Sequence, residues 1–501
     1  MQGCIVPKPT LTWISSEPAA LTTGSGAAGC GSGATSCTIA TPQPGVASIT
    51  ASCTPPACNV GFPLNLNPNV SAPFIPQPVY PVTAISGLVT GAASAANVLA
   101  TSQDCYSDVL CNVGIYSVSS TTNLPSGAVP LPFPPNSLMT DALGDRLYMG
   151  SQFGAIAIAP ASFGSSTNPF SSLPAPSTPL GLVTGQVIAV SENGAAAVFS
   201  DTVSTPNQVF LVNGSTTALN INSATAAAFS PDSLKTFILG DGGTTLYAYS
   251  TLQYVQPLLP NPLPAPATSI VFNSTGSFAL LSGGSPAGTL AVYNTCDNSL
   301  VTPYLAAPGI PSPPQFLKMV PAGNVPMGNG TIPLLQTAGL DLFFGIDNTG
   351  IDIIATTSSQ DPSFATLCPQ TVAIAQTPPN TPLPVHINIG QGTFNPINFF
   401  LSPDSTQAYI VTTDLGVLVY NFNTSSTSRI SLINNATPIA AGMTVDGSMI
   451  FVAGSDGLLH NLSTSLGIDR FDTSFSPLAN SSNSFCYTGT NCALNLVVVR
   501  P

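Results

Sequence analysis

Two histidines, His386 in "PVHINIG" and His460 in "GLLHNL", are the side chains best suited to acid–base chemistry in this chain. An unperturbed imidazole titrates near neutrality, as a general acid or base requires. Both stand among alternating apolar residues, a pattern typical of strands. A hydrogen-bonded structural role is therefore the favoured interpretation, and a catalytic role is the alternative. The only glutamates are Glu17 and Glu192, and Glu192 lies in a "SENG" turn.

The sequence lacks the common catalytic and cofactor-binding motifs. It has no G-x-S-x-G elbow, no Walker loop, no H-E-x-x-H and no EF-hand loop. The turns "GDGGT" at Gly240 and "GSDGL" at Gly454 each hold one acid, which could bind Ca²⁺ weakly, but a purely structural turn is favoured. We therefore predict no cofactor, no metal and no enzymatic activity.

The cysteines predict disulfides and an oxidising compartment. The chain has 11 of them, in turns rich in Gly, Ser, Asn and Thr and without the spacing of zinc ligands. Four close pairs and one distant pair are expected: Cys30 with Cys37, Cys53 with Cys58, Cys105 with Cys111, Cys486 with Cys492, and Cys296 with Cys368. Free buried thiols are the alternative. Short loops closed by disulfides indicate an extracytoplasmic protein, either secreted or attached to the cell surface.

Cys4, the odd cysteine, has two interpretations. The start "MQGC" could be the end of a lipoprotein signal in which Cys4 carries the lipid, although the charged and apolar regions of such a signal are absent. A free or otherwise paired Cys4 in a truncated domain is the alternative.

Charge excludes several classes of partner. Charged residues make up 5% of the chain, the net charge is −13, and no basic cluster exists. Such a chain cannot neutralise nucleic-acid phosphates or an anionic membrane. The long uncharged stretches are interrupted by Pro, Gly and Ser, so no transmembrane segment is expected. A protein or glycan ligand remains the expected partner, and the oligomeric state stays open.

Repeats indicate the architecture. "AFSPDSLKTFILG" from Ala228 has a near-twin, "FLSPDSTQAYIV", from Phe400, and further segments share the order of strand, tight turn, strand, Gly turn and strand. Units of three or four short strands recurring every 40 to 65 residues are typical of a β-propeller. The residues of "SPDS" are typical of a tight turn between two strands, and we do not expect them to form a functional site. We predict an all-β propeller of seven blades, with eight as the alternative, in which the C-terminal "CALNLVVVRP" adds a strand to an early blade.

The phrases "FSPDSLKTFILG" and "LSPDSTQAYIVTTDLGVLVYNF" resemble the blades of bacterial extracytoplasmic propellers of the YVTN and lactonase-like group. The resemblance covers roughly residues 85–501 and implies a fold more than a function, because the group includes lactone hydrolases and surface proteins. The single tryptophan argues against quinone-dependent and WD40 propellers.

Residues 1–90 form a separate segment before a propeller domain at 91–501. "LTWISSEPA", "GVASITASC" and "VTAISGLVTG" resemble the later strands of a bacterial Ig-like (Big) domain. A partial Ig-like module is expected there, and an irregular disulfide-stapled extension is the alternative.

These observations favour a binding or scaffolding module at the cell surface, with its ligand on a propeller face. A lactonase-like or glycan-acting hydrolase is the second hypothesis, with carboxylates from several blades meeting at the central channel and His386 or His460 assisting. A structural surface-layer or filament component is the third.

Overall fold

The computed structural model describes most of the chain after residue 96 and three short strands before it. The described residues are 12–15, 48–52, 82–85, 97–107, 110–119, 129–141, 144, 146–159, 170–173, 182–203, 207–230, 233, 235–250, 261–273, 278–295, 298–307, 309–310, 314, 318–321, 340–360, 369–374, 376–377, 381–382, 384–402, 406–444, 447–470 and 493–500.

Eight antiparallel sheets follow one another along the chain, and each is a blade with its first strand innermost. Blade 1 contains Ala493–Val499, Asn97–Ser107, Leu110–Ser119 and Val129–Pro130; blade 2 contains Ser137–Thr140, Leu147–Gly150, Ile156–Ile158 and Phe170–Ser172; blade 3 contains Gln186–Val190, Ala196–Asp201, Gln208–Asn213 and Ser215–Leu219; and blade 4 contains Ala226–Phe229, Lys235–Gly240, Thr245–Ser250 and Asn261–Pro262.

The second half of the ring repeats this plan, with additions in blades 5 and 6. Blade 5 contains Ala267–Phe272, Phe278–Gly283, Thr289–Asn294, Ser299–Leu300 and Leu305–Ala306; blade 6 contains Lys318–Pro321, Leu340–Ile346, Gly350–Gln360, Pro369–Ile374 and Pro384–Asn388; blade 7 contains Pro396–Leu401, Gln407–Thr412, Gly416–Asn421 and Ser426–Ile430; and blade 8 contains Pro438–Met443, Met449–Gly454, Leu459–Ser463 and Ile468–Asp469. A small hairpin, Gln376–Thr377 with Thr381–Pro382, and two 3₁₀ turns, Asp241–Gly243 and Ile433–Asn435, complete the described elements.

The hydrophobic core lies between the blades rather than in one centre. Each of the eight buried clusters combines residues of two neighbouring blades, and the cluster containing Tyr116 and Phe451 joins blade 8 to blade 1. The eight interfaces therefore close a ring. The fold is an all-β propeller, and eight, the alternative count from the sequence, is the number of blades.

This packing explains why the second strands have continuous apolar sequences. Phe278–Gly283, "FALLSG", is buried at every position, because a blade has a neighbour against each of its faces. A strand covered on both sides loses the usual alternation of polar and apolar residues. Burying one Phe or Leu side chain contributes about 1.5–3 kcal/mol.

The repeated phrase is explained by the turn between the first and second strands. In blade 4 the Ser230 Oγ accepts a hydrogen bond of 3.0 Å from the backbone N–H of Lys235, and in blade 7 Ser402 does the same for Gln407 at 2.9 Å. Other blades use a small polar residue in the same way, in the pairs Asp141 with Arg146, Ser191 with Ala196, Asn273 with Phe278, and Thr444 with Met449. Pro231 and Asp232, which follow Ser230 in the phrase, lie outside the described residues.

Blade 1 combines strands from the two ends of the propeller sequence. Ala493–Val499 pairs antiparallel with Asn97–Ser107, which confirms the prediction that the C-terminal strand completes an early blade. The Thr101 hydroxyl donates a hydrogen bond of 2.6 Å to Asn495 Oδ1, and Arg500 Nε donates one to the Gly144 carbonyl in blade 2. The C-terminal strand thereby covers the inner edge of Asn97–Ser107, which would otherwise be a free sheet edge that invites aggregation.

Residues before 97 are described only as three strands. Thr12–Ser15, Ser48–Ser52 and Val82–Ile85 form an antiparallel sheet, each within one of the three Ig-like phrases of the sequence. The Ig-like prediction itself stays untested, since the remainder of residues 1–90 lies outside the described part.

The cysteine predictions also fall mostly outside the described residues. Cys4 and the predicted pairs other than Cys105 with Cys111 are not described. Cys105 and Cys111 occupy directly opposed backbone positions on the hairpin of blade 1. Directly opposed positions on antiparallel strands have the Cα separation that a disulfide needs. All five disulfides remain predictions.

Because successive strands alternate in direction, the ring has two distinct faces. We term upper the face that carries the loops from second to third strands and from fourth strands to the next blade. The lower face carries the turns from first to second and from third to fourth strands. Within the described part of the chain, no helix is long and apolar enough to span a membrane.

Candidate functional site

The upper face collects acidic side chains at a recurring place. In five blades an aspartate ends the second strand or lies in the turn that follows it: Asp201, Asp241, Asp347, Asp414 and Asp456. Most of them accept hydrogen bonds from nearby groups; for example, Tyr247 donates to Asp241 at 2.7 Å and the Asn395 backbone N–H to Asp414 at 3.2 Å. In blades 6 and 8 these acids also face a histidine.

The blade 6 cluster is built by strand register. His386 lies directly opposite Asp352 on the neighbouring strand, and Asp347 and Thr349 lie in the turn that precedes that strand. A Cβ on Gly350 would lie 2.1 Å from the Ile387 carbonyl oxygen and 2.9 Å from His386 Cε1. Glycine at this position therefore lets the His386 strand approach the turn.

Hydrogen bonds fix both nitrogens of the His386 ring. Nδ1 lies 2.9 Å from Asp352 Oδ1 and 3.8 Å from Asp347 Oδ2, and Nε2 lies 3.2 Å from the Thr349 hydroxyl. The same hydroxyl lies 2.8 Å from Asp347 Oδ1, which also accepts the backbone N–H groups of Thr349 and Gly350 at 2.7 and 2.8 Å.

Proton counting assigns the ring tautomer. The Thr349 hydroxyl has one proton, and Asp347 Oδ1, which already accepts two backbone N–H groups, accepts it. The hydroxyl oxygen must then accept from His386, so Nε2 carries a proton. Nδ1 and Asp352 Oδ1 consequently face each other across 2.9 Å and need a proton or a cation between them.

Asp352 is the buried member of this cluster. Its side chain has no exposed surface, and its Oδ2 has no hydrogen-bond partner among the described residues. The pKa of Asp352 is raised to about 7: burial is the largest cause, the hydrogen bond with His386 opposes the rise, and the charge of Asp347 adds to it. His386 keeps 15% of its side chain exposed, so the cluster is reachable from solvent.

The blade 8 cluster holds His460 between two carboxylates on opposite sides of its ring. Nδ1 lies 2.6 Å from Asp469 Oδ2 and Nε2 lies 3.0 Å from Asp456 Oδ1. The His460 side chain is fully buried, and a Cβ on Gly454 would lie 2.6 Å from both Nε2 and Asp456 Oδ1. This arrangement suits a structural ion pair, because no side of the ring faces solvent.

The pKa values in blade 8 agree with an ion pair. Burial, the largest single influence, lowers the pKa of His460, but the hydrogen bonds and charges of Asp469 and Asp456 outweigh it and the net shift is upward. Burial likewise raises the pKa of Asp456, but hydrogen bonds from His460, Asn434 and Leu458 outweigh it and the net shift is downward. Both shifts favour the charged forms.

The histidines therefore do not share a site. They lie in blades 6 and 8, and each contacts aspartates of its own blade rather than carboxylates from several blades. Both are on strands, as their apolar surroundings predict. The sequence gives no sign of the partners of His386, since Asp352 is 34 positions away and only the strand register brings them together.

The upper face also exposes apolar side chains on adjacent loops of blades 2 and 3. Phe153, Leu182 and Val203 are 39%, 64% and 72% exposed. Their loops are tied together: the Gly185 N–H donates to the Ser151 carbonyl, and the Thr184 hydroxyl donates to Asp201.

Hydrogen bonds between residues two positions apart also fix the backbone of Phe153 and Val203 in these loops. The Phe153 N–H donates to Ser151 Oγ at 3.2 Å, and the Val203 N–H donates to Asp201 Oδ1 at 3.0 Å. These three side chains are therefore a candidate interaction surface, because hydrogen bonds join the loops that carry them. We refer to Phe153, Leu182 and Val203 as the apolar triad.

Comparison with known proteins identifies no family for this chain. No family model and no curated protein matches the sequence. The C-terminal WD40 domain of Sif2 is 14% identical, with a TM-score of 0.42 over 73% of this chain and 86% of that chain.

Two further solved structures are similar to the same degree. The dihydro-heme d1 dehydrogenase NirN is 13% identical, with a TM-score of 0.47 over 74% and 72% of the two chains. The β-propeller domain of Cps50 (Swd1) from Myceliophteria thermophila is 11% identical, with a TM-score of 0.43 over 65% and 94%. These similarities carry no inference about function, and the fold assignment depends on the eight-sheet topology.

Proposed function

We propose that this protein is an extracytoplasmic binding or scaffolding module whose upper face docks a partner protein. The observation that carries the proposal is the apolar triad, because its three side chains are exposed on adjacent loops that hydrogen bonds hold together. The propeller is commonly a rigid support for loops that bind. The secreted or surface-attached location is supported by the cysteine spacing of the sequence.

The chemistry of the triad favours a protein over a glycan. One phenylalanine and two aliphatic side chains, Phe153, Leu182 and Val203, offer apolar contact area and no side-chain hydrogen-bond donor. A protein surface with apolar anchors complements such a patch. A sugar needs hydrogen bonds to its hydroxyl groups in addition to an aromatic platform.

The test compares the two faces of the ring. A Phe153→Ser/Val203→Ser double variant removes two of the three apolar side chains of the triad, and Leu466→Ser removes a side chain that is 67% exposed in a turn of the lower face. Purified proteins are presented to the extracellular and envelope fractions of the source organism and to a glycan array, and the retained partner is then titrated by calorimetry.

We expect one partner protein to bind the wild type and Leu466→Ser alike, and to bind the double variant at least about 30-fold more weakly, as the loss of interface hot spots would cause. A partner that binds all three proteins equally would contradict the assignment of the upper face. Binding to glycans alone would contradict a protein partner.

A hydrolase is the second candidate, because blade 6 contains a chain of Thr349, His386 and Asp352. The hydroxyl faces Nε2 and the carboxylate faces Nδ1, the order found in a nucleophile–base–acid triad. The contact of the same hydroxyl with Asp347 Oδ1 at 2.8 Å weighs against this function, since it takes the proton that a nucleophile must give to histidine.

A panel of esters and lactones tests the hydrolase directly. Turnover by the wild type that is lost in Thr349→Ala would establish it and overturn the binding-only proposal. We expect no turnover above that of the Thr349→Ala protein.

A further inference from the structure

Blade 6 contains three potential metal ligands that converge on one point. The ligand atoms of Asp347, Asp352 and His386 all lie within 4.8 Å of one another. Two of the separations are 2.9 Å, from Nδ1 to Asp352 Oδ1, and 3.8 Å, from Nδ1 to Asp347 Oδ2. Ligands about 2.1 Å from a tetrahedral Zn²⁺ are about 3.4 Å apart, so the two separations lie on either side of the required value.

The hydrogen bonds prepare His386 Nδ1 as a ligand. When Nε2 donates to the Thr349 hydroxyl, the neutral ring has its lone pair on Nδ1, which lies 2.9 Å from Asp352 Oδ1. A ring N–H that is held by an outer partner is the usual arrangement of a metal-binding histidine. Thr349, through its bond to Asp347, connects that outer contact to a second ligand.

The buried carboxylate supplies an independent reason to expect a cation. Asp352 has no exposed side-chain surface, and its Oδ2 has no hydrogen-bond partner among the described residues. An unsatisfied buried carboxylate oxygen is costly unless a proton or metal neutralises it. The partly exposed ring of His386 provides an approach from solvent.

We propose that Asp347, Asp352 and His386 form a divalent-metal site of the zinc type in blade 6. One imidazole and two carboxylates suit Zn²⁺ and related transition ions, whereas Ca²⁺ takes six to eight oxygen ligands. Three protein ligands leave one position open for water. The proposal goes beyond the binding function of the upper face, and its success or failure is independent of the apolar triad.

The experiment measures Zn²⁺ binding to the whole chain. Protein treated with a chelator, with free thiols alkylated, is titrated with Zn²⁺ by calorimetry at neutral pH, and Ca²⁺ and Mg²⁺ are titrated separately. Asp352→Asn and His386→Gln each remove a metal ligand. Asp347→Asn removes the third, charged ligand but keeps a side-chain oxygen that can accept the hydrogen bonds of the turn. Asp456→Asn is the matched control, because it changes an aspartate that faces the other histidine.

We expect the wild type and Asp456→Asn to bind one Zn²⁺ that the three ligand variants do not bind. Thr349→Val, a change to a positioning residue, should bind it about 10- to 100-fold more weakly. Co²⁺ bound to the wild type should give the visible absorption of a four-coordinate ion, and Asp352→Asn should not. Circular dichroism and thermal melting verify that each variant is folded.

Two results would overturn the proposal. One is the absence of stoichiometric Zn²⁺ binding by the wild type. The other is binding that Asp352→Asn and His386→Gln leave unchanged, since the metal would then be held elsewhere in the chain.

Discussion

At the scale of single residues, the two histidines show how environment decides the role of one side-chain type. His386 is partly exposed and has both carboxylate contacts at Nδ1, whereas His460 is fully buried with a carboxylate at each nitrogen. The ring of His386 can therefore be reached from solvent, whereas both nitrogens of the buried His460 ring are already paired with carboxylates. The partly exposed His386 is therefore the better candidate for binding a ligand, whereas the buried His460 is suited to stabilising the fold.

The first prediction concerns the pH dependence of the blade 8 ion pair. His460 faces Asp456 from the upper turn and Asp469 from the fourth strand, and its pKa is raised. A raised histidine pKa stabilises the fold fully below the unfolded value of about 6.5, and this contribution is lost as pH rises through the folded value. The lowered pKa of Asp456 adds stability above its unfolded value near 4, which is lost as pH falls through the folded value.

His460→Gln should therefore lower the free energy of unfolding most between pH 5 and 6, by about 3 kcal/mol, as breakage of a buried pair does. The difference from the wild type should shrink by pH 9. Urea denaturation at pH 5.5 and pH 9 measures both values. A difference that stays constant or grows with pH would contradict an ion pair.

The second prediction concerns the turn that the repeated phrase encodes. Ser402→Ala removes the side-chain acceptor for the Gln407 N–H and should lower the free energy of unfolding by about 1 kcal/mol. Ser428→Ala, an exposed position on the fourth strand of the same blade, should change it by less than about 0.5 kcal/mol. Equal effects in chemical denaturation would show that the Ser402 hydroxyl has no special role.

At the scale of elements, the turn after the second strand of blade 8 requires a residue without a side chain. Gly454→Ala should destabilise the protein by about 1–3 kcal/mol, because its Cβ would lie 2.6 Å from Asp456 Oδ1 and His460 Nε2. In an Asp456→Ala/His460→Ala background the same change should have a much smaller effect. A full penalty in both backgrounds would mean that the backbone, and not these side chains, excludes alanine.

The strands are the level at which sequence and structure agree best. Short apolar runs separated by turn residues predict the second and third strands of most blades, because these strands are buried on both faces. Blade 6 is harder to predict, since its third strand, Gly350–Gln360, pairs with both Pro369–Ile374 and Pro384–Asn388. The insertion between these two partners interrupts the repeat, so the strand Pro384–Asn388, which carries His386, is hard to recognise in the sequence.

The candidate site could be predicted only in part. The sequence singles out His386 and the strand around it, but Asp347 and Asp352 look like ordinary turn and strand residues. Their convergence depends on the pairing of Asp352 with His386, which local sequence does not specify. The blade count was similarly ambiguous, because the first blade takes its innermost strand from the other end of the chain.

At the scale of the whole molecule, closure of the ring controls cooperativity. Truncation after residue 492 removes Ala493–Val499 and exposes the edge of Asn97–Ser107 together with the cluster around Tyr116 and Phe451. We expect the wild type to unfold in one cooperative thermal transition, and we expect the truncated protein to lose this transition and to aggregate. Removal of Pro501 alone is the control, and cooperative melting of both truncated proteins would contradict the closing role of the last strand.

The same closure sets a delay during synthesis. Thr101 and its partner Asn495 are 394 positions apart, so blade 1 stays open until the final strand has been made. At about 5–20 residues per second, translation of that interval takes on the order of 20–80 seconds. Throughout this time the strand beginning at Asn97 has a free edge with almost no charge to protect it. We therefore expect the nascent chain to be most vulnerable to misassembly in the period before its last residues emerge.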